Sequence, residues 1–205
     1  MRKTALHSVL VLGLVGAMTA VSALADTTLY SNDSAKDDSI EGINFSAFAV
    51  TDSFTLSQSS TVTSVTFDAW LYPGDTMASV DWSIGNSAFG SSLGAGTAAT
   101  IGVFKTISPH GNYSIYTVTI SGLDLSLASG TYWLTFQNAQ AANGDTVFWD
   151  ENDGPSTAYY QVYGDAITSE TFQILGTETP EPSSFLLLGS GLAGLAGLIK
   201  RKLAA

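Results

Sequence analysis

The 205-residue chain predicts a single all-β sandwich held between two targeting segments. Three observations carry that expectation. Apolar and polar residues alternate at every second position through the middle of the chain, and turn residues recur at short intervals. Both ends carry uncharged apolar runs with basic residues beside them. The divisions that follow are a signal peptide at 1–25, a β domain at 26–176 and a tail at 177–205.

Alternation is clearest over 63–72. There Val65, Phe67, Ala69 and Leu71 fall on one face, with Thr66, Asp68 and Trp70 on the other. Tyr116, Val118 and Ile120 repeat the pattern, as do Tyr132, Leu134 and Phe136. Shorter runs lie at 43–50, 53–56, 80–84, 101–107, 146–149, 159–163 and 171–175. Turn chemistry separates them, as in Tyr72-Pro73-Gly74-Asp75 and Asn143-Gly144-Asp145. The Gly- and Ser-rich stretch 85–96 reads as a long loop. About ten short strands with such turns predict a β-sandwich of jelly-roll type.

Charge narrows the partners. Residues 26–179 hold 17 Asp and Glu against two Lys, a net of −15. Such a surface repels phosphate backbones, so nucleic acid is excluded. The chain has no cysteine, which removes thiol catalysis, Cys-zinc sites and disulfides.

At the N-terminus Arg2 and Lys3 precede an apolar core over 9–20. Ala23-Leu24-Ala25 then forms a small-x-small cleavage site before Asp26. At the C-terminus residues 183–199 run without a charge into Lys200, Arg201 and Lys202. That length is near the minimum that crosses a hydrocarbon core of about 30 Å. The basic end stays cytoplasmic by the positive-inside preference. A transmembrane helix over 183–199 is therefore expected.

Pro180-Glu181-Pro182, the apolar helix and the basic end at 200–202 together resemble the PEP-CTERM sorting signal of Gram-negative bacteria. An LPxTG-type motif, which a sortase tail would need, is missing. The resemblance covers about 25 residues. It implies export, anchoring in the inner membrane, and processing near the motif by an exosortase-type membrane protease. The final place is then the cell surface or an extracellular matrix. The motif has a physical logic, since the two prolines hold the site extended and free of helix.

Within the β domain, Gly90-Ser91-Ser92-Leu93-Gly94 fits the G-x-S-x-G pattern. No helix is expected after it and no Asp lies between Ser92 and His110, so no nucleophile elbow is assigned. The chain is read as non-enzymatic. Asp33, Asp37 and Asp38, with Asp150, Asn152 and Asp153, offer hard oxygen ligands for calcium if strands bring the two loops together. Trp70, Tyr72 and Trp133 fall off the core face of their strands and are the candidates for stacking on sugar rings. Binding of extracellular polysaccharide is the expected function. The alternatives are a structural or adhesive matrix protein with no ligand site, and a polysaccharide hydrolase.

Overall fold

The structure, a computed structural model, describes residues 26–33, 42–108, 113–179 and 182–203. The expected signal peptide at 1–25 lies outside the described residues, as do Asp37, Asp38, Pro180 and Glu181. Two antiparallel sheets face each other. The first holds β1 (Thr27–Ser31), β2 (Gly42–Asn44), β4 (Ser60–Leu71), β7 (Ile101–Ile107), β8 (Ser114–Leu127), β10 (Phe148–Asn152), β13 (Ser169–Glu170) and β14 (Phe172–Glu178). The second runs in the order β12 (Ala166–Ile167), β11 (Ala158–Tyr160), β3 (Val50–Leu56), β9 (Gly130–Ala141), β5 (Met77–Gly85) and β6 (Ser92–Ala99).

β4 organises the first sheet. β8 pairs along one side of it from Ser60 to Leu71. On its other side β14 covers Ser60 to Phe67 and β10 covers Ala69 and Trp70. Strand order there is β1-β14-β4-β8-β7, facing β3-β9-β5-β6 in the second sheet. The pleat sends Val65, Phe67, Ala69 and Leu71 inward, the alternation read from the sequence, and all four are buried. Phe67 meets Phe136 of β9 at a centroid distance of 4.5 Å, and Phe136 meets Trp149 of β10 at 4.7 Å. This aromatic layer spans the gap between the sheets.

The turn after β4 follows its residues. Pro73 supplies the fixed φ of the first central position, and Gly74 takes φ +85° at the second. The Asp75 N–H closes the turn on the Tyr72 carbonyl at 3.1 Å.

Two expectations are corrected. The Gly-rich stretch 85–96 is not one long loop, because β6 begins at Ser92. Its glycines answer close packing: a Cβ on Gly94 would lie 3.1 Å from Leu125, and one on Gly96 would lie 3.3 Å from the Trp82 indole. At the C-terminus α1 (Pro182–Leu203) forms where a membrane helix is expected, opened by a proline whose missing N–H a first turn does not need. Among the described residues, however, no helix is long and apolar enough to cross a membrane. Gly189, Ser190, Gly191, Gly194 and Gly197 dilute its leucines.

Removing the Phe136 ring leaves a cavity bordered by Phe45, Phe67 and Trp149. Phe136→Ala is expected to lower unfolding free energy by about 3–5 kcal/mol. Urea melts followed by tryptophan fluorescence check this.

Candidate functional site

Because Leu134 and Phe136 point into the core, Thr135 and Gln137 must point out of the second sheet. The register aligns them with neighbours on β5 and β6. Thr97, Asp81 and Gln137 form one cross-strand row, and Ala95, Ser83 and Thr135 form the next. These rows floor a cleft of about 430 Å³, which Phe89 and Gln161 also line. Phe89 enters from the β5–β6 loop at φ +52° and remains exposed.

Among the described residues Asp81 is the one carboxylate lining this cleft. The Thr97 hydroxyl donates to its Oδ1 at 2.5 Å and the Asn138 amide to its Oδ2 at 2.8 Å. Those two bonds hold its pKa below the ordinary aspartate value, the Thr97 bond most of all. The cleft thus presents a fixed anionic acceptor beside amides and hydroxyls that both donate and accept. Alternation over 80–84 was the signal for Asp81 and Ser83. Thr97 carries no such signal, because it directly follows the Gly-rich stretch 85–96 that reads as a loop.

Trp133 stands on the same outer face, one row beyond Thr135, paired with Gly85 and Ser53. It is half-buried, with its ring 5.6 Å from that of Tyr159. The other two aromatic candidates lie on the first sheet. Trp70 faces outward from β4 as expected, yet it is only 4% exposed. β10 pairs beside it, Tyr113 packs on its ring at 5.7 Å, and its indole N–H donates to Asp150 Oδ1. It has no open face for a sugar. Tyr72 is exposed and stacks on Tyr113 at 4.9 Å.

The expected calcium ligands are placed as follows. The Asn152 amide donates to the Asn32 carbonyl, next to Asp33, while Asp37 and Asp38 lie outside the described residues. Asp150 and Asn152 are buried, Asp153 is exposed, and Asp33 sits at φ +66°. Among the described residues no three acidic or imidazole side chains are grouped to hold a metal ion.

Instead, the sandwich buries carboxyl groups near one another. Asp52 Oδ2 accepts from Ser156 Oγ at 2.9 Å and from the Glu170 N–H at 2.8 Å. Glu170 pairs across the ladder with Glu151, and among the described residues neither of its carboxyl oxygens has a hydrogen-bond partner. Burial pushes Asp52 up to about 6 and Asp150 up to about 7. Glu170 is raised well above the ordinary range, first by burial and then by Glu151, Asp52 and Asp150.

The geometry defines a β-sandwich with an open polar cleft, followed by a separate C-terminal helix. Residues 178–202 match the PEP-CTERM protein-sorting motif. That match, with the two sheets ahead of it, supports a PEP-CTERM protein with a β-rich cargo domain, and the motif indicates an exported protein sorted by an exosortase. No curated protein matches it.

The buried acids set a pH dependence. Each binds its proton more tightly when folded, so between about pH 4 and 7 the folded chain holds the extra protons and stability falls as pH rises. The lowered Asp81 acts oppositely, and only below that window. The melting temperature is expected to be higher at pH 5 than at pH 8. Glu170→Gln is expected to be at least as stable as the parent, which thermal melts at both pH values check.

Proposed function

We propose that the β domain is a jelly roll that binds a polysaccharide in the cleft on its second sheet, displayed on the surface of a Gram-negative cell after the tail is processed. The observation that carries this reading is the Thr97–Asp81–Gln137 row beneath Phe89. Sugar rings need hydroxyl partners at fixed positions and apolar surface for their C–H faces. The row offers the first, while Phe89 and the Trp133–Tyr159 pair offer the second. The strand orders β1-β14-β4-β8 and β3-β9-β5-β6 support the jelly roll, whose two four-stranded sheets interleave in this way.

The reading is non-catalytic. Glycoside hydrolysis generally takes two carboxyl groups flanking the bond, and among the described residues one carboxylate lines this cleft. The tail anchors the chain transiently at the inner membrane, where α1 offers Leu187, Leu188 and Leu195 as exposed apolar side chains and Lys200, Arg201 and Lys202 as a basic end. An exosortase then acts near Pro180-Glu181-Pro182.

A glycan array probed with the full chain tests the binding. Asp81→Asn removes a charged hydrogen-bond acceptor, a loss of about 1.5–3 kcal/mol or roughly tenfold to a hundredfold in affinity. Trp133→Ala is expected to weaken binding without unfolding the domain. A chain that retains no glycan would favour the rival reading, a structural matrix protein.

For the tail, replacing Pro180, Glu181 and Pro182 by Ala is expected to leave a longer, membrane-bound product with the β domain intact. Mass spectrometry of the mature protein from a host with an exosortase checks it. A wild-type species still ending at Ala205 would count against processing.

A further inference from the structure

Among the described residues β7 lies at the edge of the first sheet and pairs with β8 alone. Its apolar side chains are among the most exposed in the β domain: Ile101 at 73%, Val103 at 66%, Phe104 at 53% and Ile107 at 65%. Edge strands are commonly blunted by free charges, prolines or bulges. β7 contains no proline, and its one charge, Lys105, is held at 2.8 Å by Asp68 of its own domain. The register shift falls between Phe104 and Thr106, which leaves Ile101 to Phe104 in regular pairing.

Charge identifies the occupant. The 17 acidic residues over 26–179 leave one long gap: no Asp or Glu lies between Asp81 and Asp124. Two copies of so acidic a domain repel wherever their carboxylates face each other. The gap contains β6, β7 and most of β8, so among the described residues β7 carries no acidic side chain of its own, and copies that meet along it avoid that repulsion.

We infer that β7 pairs antiparallel with β7 of a second copy about a two-fold axis through Val103, so that the first sheet runs on across a dimer. The register comes from side-chain size. An axis at Val103 sets Gly102 of each copy opposite Phe104 of the other, on one face of the joined sheet. Phe104 packs edge-on against Tyr116 of its own domain at 5.7 Å and is about half exposed, and the space beside the other copy's glycine receives its ring.

Cysteine placement tests both the pairing and its register. Among the described residues there is no cysteine, nor does the sequence contain one, so any disulfide in a single-cysteine variant joins two chains. Val103 is exposed, and Val103→Cys leaves the core untouched. On a two-fold axis its thiols stand opposite each other, within the Cα separation of about 4.4–6.8 Å that a disulfide needs. At Ile101 the two positions are about four residues apart along the seam, roughly 13 Å. With the full chain under mild oxidation, Val103→Cys is expected to run mostly as a dimer on a non-reducing gel, and Ile101→Cys as a monomer. Val103→Lys places two ammonium groups together and is expected to sediment as a monomer under conditions where the parent is dimeric. The tail is the same in all these chains, so association through α1 cannot produce the difference. Equal cross-linking at both positions, no cross-linking at Val103, capture of a foreign protein in place of a second copy, or a monomeric parent would each overturn the inference.

Discussion

Phe67 and Phe136 meet across the sandwich at 4.5 Å, and much of the molecule follows from that contact. It fixes which residues of β4 and β9 face inward, and a strand offers only two faces. With Phe136 inward, Thr135 and Gln137 must stand on the outer surface, where β5 and β6 bring Asp81 and Thr97 beside them. With Phe67 inward, Asp68 points outward to Thr117 and Lys105. A slip of one residue on either strand would exchange core for surface and remove the cleft together with the packing.

The sandwich tolerates buried acid where its sheets are joined least regularly. Asp52 lies on the inward face of β3, and Glu170 is in a two-residue strand, both enclosed by the crossings between β10, β11 and β13. Asp52 has four donors around it, from Ser53, Ser156, Asn32 and Glu170. Glu170 has none for its side chain and is therefore best accommodated with its proton on. The domain thus combines a strongly acidic surface with an interior that disfavours ionisation.

Alternation made much of the fold legible. Strands with one buried face, such as β4 and β9, announce themselves because packing demands the pattern. β6 did not, since Gly94 and Gly96 owe their size to Leu125 and Trp82, partners distant in sequence or across a ladder. Trp70 was readable as outward-facing, but its covering by β10 and Tyr113 depends on long-range register that local spacing does not contain. The candidate cleft was partly legible for the same reason. Trp133 and Asp81 sit where alternation puts them, whereas the row that joins Asp81 to Thr97 and Gln137 exists only once three strands are aligned. The sorting motif needed no tertiary information, because Pro180-Glu181-Pro182, the apolar run and the basic end are contiguous in sequence.

The cleft and the free edge are close in the chain's own logic. β6 borders the second sheet and carries Thr97, and Thr100 alone separates it from β7 at the border of the first. A ligand that repeats along its length, as a polysaccharide does, rewards joined clefts more than a single strong one. Once one cleft is occupied, the second meets its next segment at an effective concentration set by the separation of the sites rather than by bulk solution. A cleft with one fixed carboxylate and partly exposed aromatics would hold a single sugar segment weakly. Pairing across β7 would convert that weakness into avidity without a new contact to the ligand. The same acid-free edge that lets copies approach would then determine how firmly the domain holds a polymer.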